Sequence, residues 1–245
     1  MIAIPVYNES SHLLRVVETV RHHADDILII DDGSTDATPG LLEGLPGIRR
    51  IRHAINLGYG RSLIDAFAYA AAHRFDWLIT LDCDEQHEPS FIPRFIEEAA
   101  RGDADVISGS RYLSELPGNT AAPSDRRRIN GVITEVLNSV LGLRLTDSFC
   151  GFKAHRISAM QRLHLTVNGY AFPLQFWVQV VRAGLTVREL AVPLIYNDPN
   201  RHFGGLLDSP TLRLKHYLDV LSDSLAEIGR PRPSTCEWLA GCGDL

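Results

Sequence analysis

The run Leu81-Asp82-Cys83-Asp84-Glu85-Gln86 closes an apolar stretch, Trp77 to Leu81, with two carboxylates and an amide carbonyl at alternate positions. Oxygen donors of this kind suit a hard divalent cation, Mg²⁺ or Mn²⁺, shared with the phosphates of a substrate. The plainer account is an acid-rich helix entry, since Pro89-Ser90 opens a helical pattern just beyond. A second acidic run, Asp31-Asp32-Gly33-Ser34-Thr35-Asp36, follows Ile29-Ile30. Here a buried strand should enter a tight turn and then a helix capped by Asp36. A carboxylate at such a strand end can accept hydrogen bonds from a ribose or a base edge. Ile4-Pro5-Val6-Tyr7-Asn8-Glu9 ends another β-rich run in the same way. Asn56-Leu57-Gly58-Tyr59-Gly60-Arg61 holds two glycines of a dinucleotide fingerprint, but Leu63 occupies the third position and no Walker motif is present. These glycines are read as places where backbone amides approach a ligand or a neighbouring strand.

The elements that must position these residues alternate in period. β-rich runs cover Ile2 to Pro5, Asp26 to Ile30, Ile48 to His53, Trp77 to Leu81 and Asp105 to Gly109. Helical patterns lie between them at Ser11 to Arg21, Ala37 to Glu43, Arg61 to His73 and Ser90 to Arg101. This order predicts βαβ units and a parallel sheet, with the polar loops after the strands gathered at one edge. Beyond residue 112 the spacing predicts a loop over Leu113 to Asp125 and helices over Arg126 to Leu141, Tyr170 to Ala183 and Thr211 to Ile228. A strand is expected over Thr186 to Ile195 and a loop over Pro199 to Gly205. The stripe Leu214, Tyr217, Leu218, Leu221 and Leu225 reads as packing. One domain over 1–228 is expected, with a nucleotide-binding half (1–112), an acceptor-binding half (113–228) and a C-terminal tail (229–245).

Composition narrows the classes. The 245 residues are 45% hydrophobic and 22% charged, which is globular, and collagen, coiled coil and full disorder are excluded. No apolar run reaches the ~18 residues of a membrane span, and the N-terminus lacks the pattern of a signal peptide. Cys83, Cys150, Cys236 and Cys242 form no Cys-x-x-Cys pair, so neither a zinc site nor a disulfide scaffold is implied, and a reducing cytoplasmic setting is expected. The net charge of −6 argues against general nucleic-acid binding. Residues 111–163 nevertheless carry eight Arg and Lys against four Asp and Glu, which fits an anionic partner near the middle of the chain or an ordinary solvated face.

Taken in order, Pro5-Val6-Tyr7-Asn8-Glu9, Asp31-Asp32-Gly33-Ser34, Asn56-x-Gly58-x-Gly60 and Asp82-x-Asp84 make the chain resemble glycosyltransferase family 2, inverting enzymes of the GT-A fold. Gly109-Ser110-Arg111-Tyr112, the basic start at Arg126, Asp147-x-x-x-Gly151-Phe152-Lys153, Gly169-Tyr170-x-Phe172, Glu189-Leu190-x-Val192-Pro193 and Arg201 extend the likeness toward the dolichol- or polyprenyl-phosphate mannosyltransferases. The resemblance implies an α/β fold with a mostly parallel central sheet flanked by helices. It places Pro5, Tyr7, Glu9, Asp32, Asn56, Gly58 and Asp82 at the nucleotide. Asp82, Asp84 and Gln86 would hold Mg²⁺ or Mn²⁺. Asp84, Arg111, Arg126 and Arg201 would be catalytic, the arginines gripping phosphate through the guanidinium fork.

The implied reaction moves a mannosyl- or glucosyl-type hexose from a nucleotide-diphosphate sugar to a polyprenyl phosphate, at the cytoplasmic membrane face and without a spanning helix. Two other readings stand beside it: a family 2 transferase acting on a sugar hydroxyl, and a non-catalytic nucleotide-binding or scaffold protein. The chain departs from the family pattern where Asn130 replaces a Ser and where no Lys follows Arg201-His202-Phe203-Gly204-Gly205. A sugar-hydroxyl acceptor needs a general base. Gln175 stands at the position considered for one, and Gly169 to Arg182 contains no acid, so an acceptor phosphate that arrives already ionised is expected; Asp147 and Glu189 are the carboxylates that could still serve.

Overall fold

The β-rich runs of the first hundred residues form β1 (Ile2–Val6), β2 (Ile27–Asp31), β3 (Arg49–Arg52), β4 (Trp77–Thr80) and β5 (Val106–Ser110). The helices between them are α1 (Leu13–Arg21), α2 (Thr38–Glu43), α3 (Tyr59–Ala72) and α4 (Ile92–Ala100), the last entered through a 3₁₀ turn at Pro89–Phe91. The second half adds α5 (Ser124–Leu141), β6 (Lys153–Arg156), α6 (Ile157–Met160), α7 (Phe172–Arg182), β7 (Val187–Ala191) and α8 (Pro210–Glu227). This computed structural model describes residues 1–120, 123–196 and 205–231. Arg201, the expected loop before Gly205 and the tail beyond 231, with Cys236 and Cys242, lie outside the described residues.

One seven-stranded sheet runs β3-β2-β1-β4-β6-β5-β7. The first four strands are parallel, with Ile4 opposite Ile29 and Ala3 opposite Thr80. β5 and β7 are also parallel, whereas β6 is antiparallel to both β4 and β5. Alternation along each strand sorts its side chains between two cores. Ala3, Leu28 and Ile30 join α3, α5, α7 and α8 on one face. Ile2, Ile4, Val6, Ile27 and Ile29 join α1, α2 and α4 on the other. Strands covered on both faces explain the near-continuous apolar runs. Trp177 is fully buried at the centre of the first core, and its indole N–H donates to Ser148 O at 2.9 Å. Truncating a side chain of that size to alanine costs about 3–5 kcal/mol.

Three expectations need correction. β6 was not foreseen; its sequence, Lys-Ala-His-Arg, has no apolar alternation. β7 ends at Ala191 rather than Ile195, because its partner β5 ends at Ser110 and Pro193 has no N–H to give. α5 begins at Ser124, so the loop expected to run to Asp125 is two residues shorter.

Candidate active site

The loops after β1, β2, β4 and β5 open into one cavity of ≈ 440 Å³. Pro5, Tyr7, Glu9, Asp32, Asn56, Gly58, Asp82, Asp84, Gln86, Arg111 and Arg126 all border it. Every expected site residue among the described ones therefore reaches the same space.

The part of the cavity formed by the first half of the chain is built from tight turns. Gly33 has φ +73, and an added Cβ would stand 2.3 Å from Ile55 C, so the Asp31–Ser34 turn packs directly on the 55–58 loop. Asp32 holds that loop: Oδ1 accepts from Leu57 N–H and Oδ2 from Gly58 N–H, each at 2.8 Å. Gly58 (φ +107) and Gly60 press against the backbone of residues 167–169, where a Cβ would meet Asn168 O at 2.4 Å and Val167 O at 2.2 Å. These glycines are expected at points of approach to a ligand or a neighbouring strand; the backbone they press on is instead a loop of the second half. Asp36 accepts from Thr38 N–H and Ser10 N–H, starting α2 one residue ahead of its formal cap. Burial works against its ionised form, but these hydrogen bonds prevail and hold its pKa at about 2.

At the end of β4, Asp82 Oδ1 accepts from the Tyr59 hydroxyl at 3.0 Å, and Asp84 Oδ1 accepts from Gln86 N–H at 3.0 Å. Glu85 takes a left-handed backbone (φ 59), and its carboxylate pairs with Arg15 and His12, away from the other two acids. Cys83 is buried in the second core and also borders the cavity. No group of three or more His, Cys, Asp or Glu side chains is gathered for a metal among the described residues. Two carboxylates and the Gln86 carbonyl on one cavity wall still fit a hard cation whose remaining ligands come from a bound diphosphate. His87 is buried beside Asp82: its Nδ1 accepts from Asp82 N–H at 3.0 Å and its Nε2 lies 3.8 Å from Asp82 Oδ2.

The lining contributed by residues beyond 110 is cationic and aromatic. Arg126 donates to the Tyr196 hydroxyl at 2.6 Å, and Arg213 donates to Leu207 O and to Asp125 Oδ2. His216, Tyr217, Tyr170 and Asn130 complete this side. Arg111 borders the cavity, while its Nε and Nη2 are both engaged by Asp147 at 2.6 and 2.9 Å. Asp147 is fully buried; burial alone would raise its pKa, but the Arg111 charge and hydrogen bonds outweigh it and the pKa is lowered. Burial pulls the Lys153 ammonium down, against the opposing charges of Asp147 and Asp82. Lys153 donates to Cys150 O and lies 5.6 Å from the Trp177 ring centre.

Neither Asp147 nor Glu189 borders the cavity, and Glu189 is taken up by Thr146 and Asp147 N–H. Gln175 is buried scaffold rather than a site residue: its carbonyl accepts from Thr166 and Val167 N–H and its amide donates to Thr166 Oγ1 and to Glu227. Sequence reasoning missed Tyr59, Arg213 and His216. Tyr59 sits inside a glycine run that was noted, so a closer reading could have found it. Arg213 and His216 share a helical turn with the apolar stripe and carried no separate signal.

Comparison with known proteins gives this geometry a family. The chain is 28% identical over 212 residues, 81% of its length and 77% of the relative's, to a polyprenol monophosphomannose synthase of Mycolicibacterium smegmatis. It is 25% identical over 227 residues, 87% of its length and 91% of the relative's, to an undecaprenyl-phosphate mannosyltransferase of Micrococcus luteus. Among solved structures, the glucosyl-3-phosphoglycerate synthase of Mycobacterium tuberculosis bound to phosphoglyceric acid superposes with TM-score 0.69 at 18% identity, over 96% of this chain and 80% of that one. The same enzyme with Mn²⁺, UDP and glucosyl-3-phosphoglycerate gives TM-score 0.67 at 18% identity, with the same coverage. The fold is GT-A, and since the profile of glycosyl transferase family 2 matches residues 1–163, the chain belongs to that family.

Proposed function

We propose that the chain transfers a mannosyl- or glucosyl-type hexose from a nucleotide-diphosphate sugar to a polyprenyl phosphate, inverting the anomeric centre. One observation carries the choice of acceptor. Every carboxylate bordering the cavity (Glu9, Asp32, Asp82, Asp84) belongs to the loops after β1, β2 and β4. The later part of the chain lines it with Arg111, Arg126, Arg213 and His216, and the acids nearest these, Asp147 and Asp125, are paired to Arg111 and Arg213 and do not border it. A sugar hydroxyl must lose a proton as it attacks, so it needs a base there. A phosphate monoester, with a second pKa near roughly 6, arrives already ionised and needs cations instead. The names of the two mannosyltransferase relatives support a lipid-linked phosphate.

An acceptor phosphate oxygen would form the new bond to the anomeric carbon as the bond from that carbon to the donor diphosphate breaks, its electron pair leaving with the nucleoside diphosphate. No proton moves. Asp82, Asp84 and Gln86 would hold a divalent cation, Mg²⁺ or Mn²⁺, which when bound neutralises charge on the diphosphate. Asp32, Pro5, Tyr7, Glu9 and the 56–58 loop would seat the nucleoside. Arg126 and Arg213 would draw the acceptor phosphate in, and Arg201 is proposed to join them on sequence grounds alone.

No described helix is long and apolar enough to cross a membrane. Exposed Arg127 and Arg128 at the start of α5, with exposed Leu113 nearby in sequence, would meet an anionic membrane face peripherally. Such contacts weaken with salt, being screened over about 8 Å at physiological ionic strength.

The test is a donor-by-acceptor screen with Mg²⁺ and Mn²⁺: GDP- and UDP-hexoses against a polyprenyl phosphate, 3-phosphoglycerate and free sugars. Turnover on the polyprenyl phosphate supports the proposal. Turnover only on a sugar hydroxyl would favour the polysaccharide-type reading, turnover only on 3-phosphoglycerate a small phosphorylated acceptor, and no product with any pair a binding role.

A further inference from the structure

Behind the donor wall runs a chain of polar side chains whose members, Asp32 apart, do not border the cavity. Arg61 on α3 grips Asp65 with two hydrogen bonds, Nε to Oδ2 at 2.9 Å and Nη2 to Oδ1 at 2.7 Å. Asp65 Oδ2 meets His53 Nε2 at 2.9 Å, and His53 Nδ1 meets Asp32 Oδ1 at 2.6 Å. Asp32 then holds Leu57 and Gly58 through their N–H groups. The His53 side chain is 6% exposed and that of Asp32 is 5% exposed, so water competes little for these bonds. His53 also donates its own backbone N–H to Asp31 O at 2.9 Å, which fixes the ring's origin relative to β2.

An acid at a strand end could swing toward or away from a ligand. Here Asp32 cannot, because a histidine that is itself clamped by Asp65 holds the same oxygen that accepts from Leu57. The first two turns of α3, through Arg61 and Asp65, thus set the shape of the nucleoside wall.

We propose that His53 and Asp65 are positioning residues for donor binding: they hold the Asp32 carboxylate, and through it the 56–58 loop, in the form that receives the nucleoside. The proposal rests on the reading of this cavity as the donor site. Its mark is a split between binding and turnover. Losing one buried hydrogen bond to a charged group should weaken nucleotide affinity roughly ten- to a hundredfold. The catalytic carboxylates at Asp82 and Asp84 stay in place, so kcat at saturating donor should change by no more than about twofold while KM for the donor rises in step with Kd.

The experiment uses the full chain, wild type and the variants His53→Ala, His53→Gln, Asp65→Ala and the double alanine, with UDP and GDP as probes in Mn²⁺. Binding is read by calorimetry, and hydrogen exchange is read at the amides of Leu57 and Gly58. Supporting results are weaker nucleotide binding in each single alanine variant, a double variant little worse than the poorer single, and faster exchange at 57–58 with exchange in β5 unchanged. His53→Gln, which keeps a polar side chain in the same space, guards against failure of the alanine variant to fold. Unchanged affinity in variants that fold would overturn the proposal, as would faster exchange throughout the protein with a lowered Tm. If neither UDP nor GDP binds the wild type, the donor-site reading itself fails.

Discussion

Gly151→Ala tests whether the place of the Asp82 carboxylate matters to the reaction. Gly151 precedes β6, which lies beside β4 in the sheet and pairs its Lys153 with Thr80 at the end of β4. A Cβ there would lie 2.5 Å from Asp82 Oδ2 and 2.8 Å from the Tyr59 hydroxyl. The backbone at Gly151 is not left-handed, so alanine fits the local conformation and the conflict is one of space alone. Ordinary contact begins near 3.4 Å, so the carboxylate must retreat by most of an ångström. It cannot do so alone, because Tyr59 holds Oδ1 at 3.0 Å and the buried His87 ring already lies 3.8 Å from Oδ2.

Overpacking of this kind costs about 1–3 kcal/mol of stability. For a chain of this length that is a fall in Tm of about 2–12 °C. The effect on chemistry should be larger. An ångström of displacement at a reacting centre can cost about 10²-fold, and loss of one electrostatic group that meets a developing charge about 10²–10³-fold. Turnover should therefore fall at least about a hundredfold in a protein that still melts cooperatively, and the Mn²⁺ concentration for half-maximal activity should rise. Gly40→Ala, whose Cβ would meet nothing within 4 Å, is the control that should leave turnover unchanged. Activity within threefold of wild type for Gly151→Ala would refute the placement of Asp82 at the reaction centre.

Asp84→Asn removes a charge but keeps the side chain's size; turnover should fall about 10²–10³-fold, and chelator should abolish the wild-type activity, so full turnover in chelator would remove the metal assignment. Asp147→Asn takes the charge partner from the half-buried Arg111 guanidinium and should cost about 1.5–3 kcal/mol in chemical denaturation, less than a fully buried pair because the cavity lets solvent reach Arg111, whereas Glu189→Gln should keep the acceptor preference; loss of turnover in Glu189→Gln without unfolding would point to a general base. Burial, with the nearby Lys153 charge, holds His155 at a pKa of about 3, below its ordinary 6.5. Between those values the unfolded chain binds a proton that the folded chain does not, so stability should fall as pH drops through that window, by up to about 1.4 kcal/mol per pH unit. Denaturant midpoints from pH 7 to 4 should show a shallower slope for His155→Phe than for wild type, and equal slopes would refute the assignment.

What was legible in the sequence follows from where the chemistry sits. Asp32, Asp82 and Asp84 end apolar strands of a parallel sheet, and in that architecture strand ends share an edge. Their types and the strand period were enough to bring them together. β6 was hidden because three of its four side chains are polar and pack on aromatic rings or backbone carbonyls, with only Ala154 joining an apolar core. Lys153 reaches Cys150 O and the Trp177 ring, His155 sits edge-on to Phe67 and Phe176, and Arg156 stacks 4.8 Å from the Trp77 ring centre. No alternation of hydrophobicity records such contacts. Arg111 looked like a phosphate ligand because arginine suits phosphate, yet a buried carboxylate 36 residues away occupies one edge of its fork. Gln175 looked like a vacated base, and only the fold reveals that it ties α7 to the 166–167 backbone.

The antiparallel strand explains why the two halves of the chain line one cavity. A purely parallel continuation would have carried the chain from β4 over a helix to its next neighbour, leaving Asp82 bordered by loops of its own half. Instead β6 enters between β4 and β5, pairing Thr80 with Lys153 on one side and Ser108 with Lys153 on the other. The segment leading into it, Asp147 to Gly151, is thereby set next to both strand ends. Asp147 fixes Arg111 at the end of β5, Gly151 leaves room for Asp82 at the end of β4, and Gly151 O accepts from Thr80 Oγ1 at 2.6 Å. One short stretch of the second half therefore registers Asp82 and Arg111 against each other. A transfer reaction needs that registration, because the attacking and departing oxygens must lie on opposite sides of a single carbon.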